Sequence, residues 1–130
     1  MRCHKLQGQA LIFVKPGDTS LSDEEFARQV FAKLAMPKWQ GYSAAQSDAI
    51  VFGGDAAGIE VGVCSDLSSD DPFPACVTLS PKVAFGDTDY LVEHAKNIAK
   101  QWSNSGWRCF VPREGLYEIT NYEDGYLYAA

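Results

Sequence analysis

A chain of 130 residues with 46% hydrophobic content and a formal net charge of -6 can bury a core of its own but has no room for two ordinary domains, so one compact domain over residues 1–130 is expected. Residues 1–50 are close to neutral, and the acidic excess comes from Asp55, Glu60, Asp66, Asp70, Asp71, Asp87, Asp89, Glu93, Glu114, Glu118, Glu123 and Asp124. Such a surface repels nucleic-acid phosphates and anionic lipid, which argues against nucleic acid or membrane as partners and leaves a basic protein partner as the expectation.

Ala10-Leu11-Ile12-Phe13-Val14 is continuously apolar and runs into a Lys15-Pro16-Gly17 turn, which predicts a central strand buried on both faces or covered at its ends. It is too short to span a bilayer or to form a signal-peptide core, so a cytoplasmic protein is expected. Ser22-Asp23-Glu24-Glu25 is a capping-box pattern that should start a helix. Phe26, Val30, Phe31 and Leu34 continue it at helical spacing, and Pro37 should stop it by disfavouring helical geometry at Met36. Residues 37–48 show no clear period and read as a surface connection, with Trp39 and Tyr42 tucked back towards the core.

Ala49 to Phe52 and Ile59 to Cys64 flank Gly53-Gly54-Asp55-Ala56-Ala57-Gly58, the pattern of a hairpin around a glycine-rich loop. Ile59, Val61 and Val63 should share one face, with Glu60, Gly62 and Cys64 on the other. Ser65 to Pro74 reads as a solvated acidic loop, followed by a strand from Ala75 to Leu79. A second helix, capped by Asp87 or Thr88, places Leu91, Ala95, Ile98, Ala99 and Trp102 on one stripe, and Gly106 suits the left-handed position after its end. Trp107 to Val111 is the next strand, ended by Pro112. Leu116 to Glu123 and Tyr126 to Ala129 are expected to pair over Asp124-Gly125, a dipeptide suited to a two-residue turn.

This order predicts an α+β fold with a mostly antiparallel sheet and two helices packed on one face. The layout resembles the ferredoxin-like sandwich with added strands, a likeness of element order that implies no function. Helices on one side leave the other sheet face open, where alternation places Glu60, Gly62, Arg108 and Phe110.

Sites of chemistry are weakly signalled. The glycine-rich stretch lacks the Lys-Ser/Thr ending of a P-loop and the GxGxxG order of a dinucleotide site. Asp66, Asp70 and Asp71 lack EF-hand spacing. Cys3, Cys64, Cys76 and Cys109 form no CxxC pair, so reduced thiols without zinc or other cofactor are expected, and His94 borders the apolar stripe as an ordinary helix residue. No catalytic residue is assigned. Two functions remain. The first is a small acidic protein that occludes a basic partner, in the manner of an immunity protein, antitoxin or phage inhibitor, with Glu118, Tyr122, Glu123, Asp124 and Tyr126 as leading contacts. The second is a small-molecule enzyme or ligand-binding domain that uses the open sheet face or the aromatic connection around Trp39 and Tyr42, with homodimerisation as part of that alternative.

Overall fold

The computed structural model describes residues 3–4, 9–43, 50–56, 58–81, 89–113, 118–119 and 122–129. In chain order they form β1 (Cys3–His4), β2 (Ala10–Lys15), α1 (Asp23–Lys33), β3 (Trp39–Ser43), β4 (Ile50–Ala56), β5 (Ile59–Ser65), β6 (Ala75–Pro81), α2 (Asp89–Asn104), β7 (Arg108–Pro112), β8 (Glu118–Ile119) and β9 (Gly125–Tyr128). Seven strands build one sheet in the order β3-β4-β5-β6-β2-β7-β9, every pairing antiparallel, while β1 pairs with β8. The class is α+β with an antiparallel sheet, as the pattern predicts.

The apolar run explains why β2 lies inside the sheet. Leu11, Ile12, Phe13 and Val14 are each at most 1% exposed, which a strand achieves only when both faces and both edges are covered. Its alternation sorts two cores. Ile12 and Val14 join Val61, Val63 and Val77 with Phe26, Val30 and Phe31 of α1 and Leu91, Ala95, Ile98 and Trp102 of α2. Leu11 and Phe13 point the other way, into a smaller cluster with Phe73, Cys76 and Phe110. Val30, Leu91, Ile98 and Val61 therefore share one core, and Leu34 and Ile59 pack against it, as the two helical stripes and the strand alternation predict.

Both helix ends follow from local chemistry. The Ser22 hydroxyl accepts from the Glu25 amide at 3.1 Å while the Glu25 carboxylate accepts from the Ser22 amide at 3.3 Å, completing the predicted capping box. The termination differs from expectation: α1 stops at Lys33, before Pro37 can act. Met36 N–H donates to Phe31 O and Ala35 N–H to Ala32 O, while Ala35 takes φ 56°. This is a Schellman motif, and α2 ends in the same way: Trp107 N–H donates to Trp102 O, Gly106 N–H to Ser103 O, and Gly106 takes φ 94°. Glycine adopts that conformation at no steric cost, whereas alanine does not. Ala35→Gly should therefore raise stability by about 1 kcal/mol in chemical denaturation, and Gly106→Ala should lower it by a similar amount. The Asp87 or Thr88 cap of the second helix lies outside the described residues.

Four further expectations are corrected. Residues 39–43 are a strand, β3, at one edge of the sheet. Its period is hidden because only Trp39 carries a strong apolar signal, stacking on Phe31 at 5.2 Å and meeting Phe52 edge-on at 5.8 Å; the Tyr42 side chain lies outside the described residues. The glycine-rich stretch is mostly strand too, since β4 runs through Gly53, Gly54 and Asp55. Gly54 is required there: a Cβ would stand 2.9 Å from Lys38 O and 3.1 Å from Phe31 Cε1.

The acidic loop after β5 is anchored rather than simply solvated, with Leu67 and Phe73 buried in the two cores. Finally, Asp124-Gly125 does not turn a terminal hairpin. β9 pairs with β7, Gly125 opposite Pro112 and Tyr128 opposite Cys109, and β8 pairs with β1 instead. Gly125 suits this because a Cβ would press on Val111 O and stand 2.8 Å from Phe110 Cζ.

Candidate functional site

The sheet face opposite the helices divides into a dry half and a wet half. In the wet half, pairing sets Gln40 opposite Gly53, Gly53 opposite Gly62, and Gly62 opposite Thr78. Two glycines side by side on neighbouring strands leave backbone bare between the flanking side chains. The result is an open trough of ≈ 760 Å³, walled by Gln9, Gln40, Glu60, Thr78 and Ser80. The next row pairs Glu60 with Ser80, whose hydroxyl accepts from the Gln9 amide at 3.0 Å. The floor is held open by Thr78, since a Cβ on Gly62 would stand 2.7 Å from Thr78 Oγ1. Amides, hydroxyls and one carboxylate around bare backbone suit hydrogen bonding to a polar ligand.

The dry half overturns one expected open-face position. Phe110 is 2% exposed, because Phe73 and Tyr122 cover it at ring separations of 6.2 and 5.8 Å. Arg108 remains exposed on the same side with its guanidinium 5.8 Å from the Phe73 ring. Glu60 is exposed and Gly62 half-buried, as alternation predicts.

An acidic surface forms at the end of the sheet where α1 begins. Asp18, Asp23, Glu24 and Glu25 are exposed there, as are Asp66 and Asp70 in the loop after β5. The Ser65 hydroxyl donates to Asp23 Oδ1 at 2.8 Å and so ties the start of α1 to the end of β5. Asp18 is held below the usual carboxylate range by donation from the Ser20 hydroxyl and amide. The charge pattern along the chain does not reveal this surface, because Asp23 to Glu25 read as capping residues and the Ser65 contact that brings them to the loop of Asp66 spans 42 positions.

The five C-terminal residues singled out from sequence do not share one side of the sheet. Tyr122 lies in the dry half, its ring 5.3 Å from Phe13 and 4.6 Å from Phe73, and its hydroxyl donates to Asp71 Oδ1 at 2.7 Å. Tyr126 packs against the helix-side core beneath Lys96, whose Nζ is 4.0 Å from the ring centroid. Glu123 and Asp124 are exposed, and Asp124 Oδ1 accepts from Arg113 Nε at 2.7 Å. Glu118 is placed by its backbone in β8, opposite His4.

His94 and Cys109 have ordinary settings. His94 is exposed on α2 beside a shallow groove shared with Lys33, Asn97 and Gln101. Burial pushes the Cys109 thiol up to about 12, against a small opposing pull from Lys33, a setting for packing and not for a nucleophile. Among the described residues no three His, Cys, Asp or Glu side chains gather in a metal-binding group, and no helix is long and apolar enough to cross a membrane. Comparison of the chain with protein-family models, curated proteins and solved structures finds no match.

Proposed function

We propose that the protein is a small acidic binding domain that occludes a basic protein partner in the cytoplasm, in the manner of an immunity protein, an antitoxin or a phage inhibitor. The observation that carries this reading is the acidic end of the sheet, where two segments distant in sequence present Asp18, Asp23, Glu24, Glu25, Asp66 and Asp70 outward. Carboxylates grouped on a rigid scaffold steer a cationic partner and fix its orientation. Of Glu118, Tyr122, Glu123, Asp124 and Tyr126, the exposed Glu123 and Asp124 are proposed to carry a second docking surface, while Tyr122 and Tyr126 pack inwards on opposite sides of the sheet. The central strand order β7-β2-β6-β5, with α1 after β2 and α2 after β6, supports reading the scaffold as ferredoxin-like with β3, β4 and β9 added at its edges.

The test begins with a partner retrieved from the native host and continues with both proteins purified. Association should slow as salt rises, and the pair Glu24→Lys and Asp70→Lys, or the pair Glu123→Lys and Asp124→Lys, should weaken binding at least about tenfold while the domain stays folded. A partner bound as tightly by both folded double variants as by the wild type rejects this reading.

A second reading follows from the glycine-floored trough: a ligand-binding or small-molecule enzyme domain using the wet half of the open face, with a homodimer within its scope. It predicts a polar small molecule whose stabilisation of the domain is lost in Gln40→Ala and Thr78→Val. Those variants should leave an acid-steered protein complex intact.

A further inference from the structure

We infer that Cys64 and Cys76 are an oxidisable pair that closes into a disulfide across the base of the acidic loop. Nothing in the spacing of the cysteines along the chain suggests it; the pairing register does. Cys64 of β5 and Cys76 of β6 are direct cross-strand partners, one residue pair in from Ser65 opposite Ala75. Residues directly opposite on antiparallel strands project to the same face with Cα atoms about 4.5–5.5 Å apart, whichever hydrogen-bonding class the pair belongs to. That lies within the span of about 4.4–6.8 Å that a disulfide bridges.

The two thiols differ in access, and the difference assigns their roles. Cys64 is exposed and meets an oxidant from solution. Cys76 is 4% exposed, packed with Leu11, Phe13, Phe73 and Phe110, so it is reached through Cys64. With a small-molecule disulfide RS–SR as oxidant, the Cys64 thiolate attacks one sulfur, forms Cys64–S–S–R and expels RS⁻, which takes up a proton. Cys76 then loses its proton to solvent and attacks the Cys64 sulfur. The S–SR bond breaks and a second RS⁻ leaves. Two protein thiols are oxidised by two electrons, and one RS–SR is reduced to two RSH.

The bridge would fasten a loop that is already shut by weaker means. Asp66 N–H donates to Pro74 O at 2.9 Å just beyond the pair, and the loop carries both Asp70 and the Phe73 ring that covers the dry half of the sheet. Oxidation therefore converts a hydrogen-bonded loop base into a covalent one, with the side chains of the acidic surface left outside the ring chemistry.

The test is to reduce the protein fully, treat it with oxidised glutathione, and read intact mass, alkylatable thiols and a peptide map. The expected result is a loss of about 2 Da, two fewer alkylatable thiols, and one cross-linked peptide pair joining Cys64 to Cys76. Cys64→Ser, a change at an exposed site, should form no bridge, and Cys76→Ser should stop at a glutathione adduct on Cys64. Persistence of both thiols, a glutathione adduct that stays on Cys64 of the wild type, or a bridge joining Cys64 to Cys3 or Cys109 would overturn the assignment. The wild-type measurement decides the matter alone if Cys76→Ser does not fold.

Discussion

Phe31→Ala is expected to lower stability by roughly 3–5 kcal/mol, read as a fall in the urea midpoint with an unchanged slope. Phe31 is fully buried on α1 and stacks on Trp39 with an interplanar angle of 14°. Its ring also rests above Gly54, where a Cβ would come within 3.1 Å of it. Truncation removes transfer energy and leaves a cavity that cannot collapse easily, because the Gly54 backbone and the Trp39 ring on its two sides belong to paired strands. The effect should be local to that edge: β3 and β4 should lose amide-exchange protection before β2 does. A cost under about 1 kcal/mol, or uniform loss of protection, would show that Trp39 is not held by Phe31.

The second large effect is at Tyr122, where two substitutions separate folding from binding. Tyr122→Ala should cost roughly 2–4 kcal/mol, because its ring meets Phe13, Phe73 and Phe110 at 5.3, 4.6 and 5.8 Å and truncation would uncover those three rings of the small core. Tyr122→Phe keeps the ring and removes only the hydrogen bond to Asp71, for about 1 kcal/mol. The smaller cost should depend on pH. Burial pushes the Asp71 carboxyl up, but donated hydrogen bonds, those of the Tyr122 hydroxyl and the Phe73 amide among them, outweigh it and leave the group below the usual carboxylate range. A carboxyl depressed on folding stabilises the protein above its unfolded value near 4 and loses that contribution as pH falls through the folded value. The gap between wild type and Tyr122→Phe should therefore shrink below about pH 4. If Tyr122→Ala leaves stability intact and weakens only partner binding, the ring belongs to an interface and its packing role is secondary.

The sequence was most legible where one local signal determines one element. The capping box at Ser22, the apolar run of β2 and the two helical stripes all act over short separations, and each leads to the observed element. Three features were illegible for a common reason: their cause lies far away along the chain. Gly53 and Gly54 read as a loop because glycine disfavours strands, yet Gly54 is small to admit Phe31 and Lys38 O. Asp124-Gly125 reads as a turn, yet Gly125 faces Val111 O across β7 and β9. The trough is hidden because it depends on Gly53 meeting Gly62 and Thr78, a matter of register that alternation alone does not specify. The helix end at Ala35 is different: its signal is local, but an alanine in a left-handed position mimics an ordinary helical residue.

The place of β2 has a consequence for how the protein is made. This strand is the most apolar segment and the first of the large sheet to leave the ribosome, yet its partners are β6 and β7. Roughly 60 residues separate the end of β2 from the start of β6, which at ordinary elongation rates is about 3–12 s of synthesis. During that interval Leu11 to Val14 have no sheet to enter, and α1 can offer only one of their two faces a cover. The nascent chain thus carries an adhesive segment throughout its first half, and its yield in cells should respond to holdase chaperones and translation speed more than the finished domain's stability would suggest.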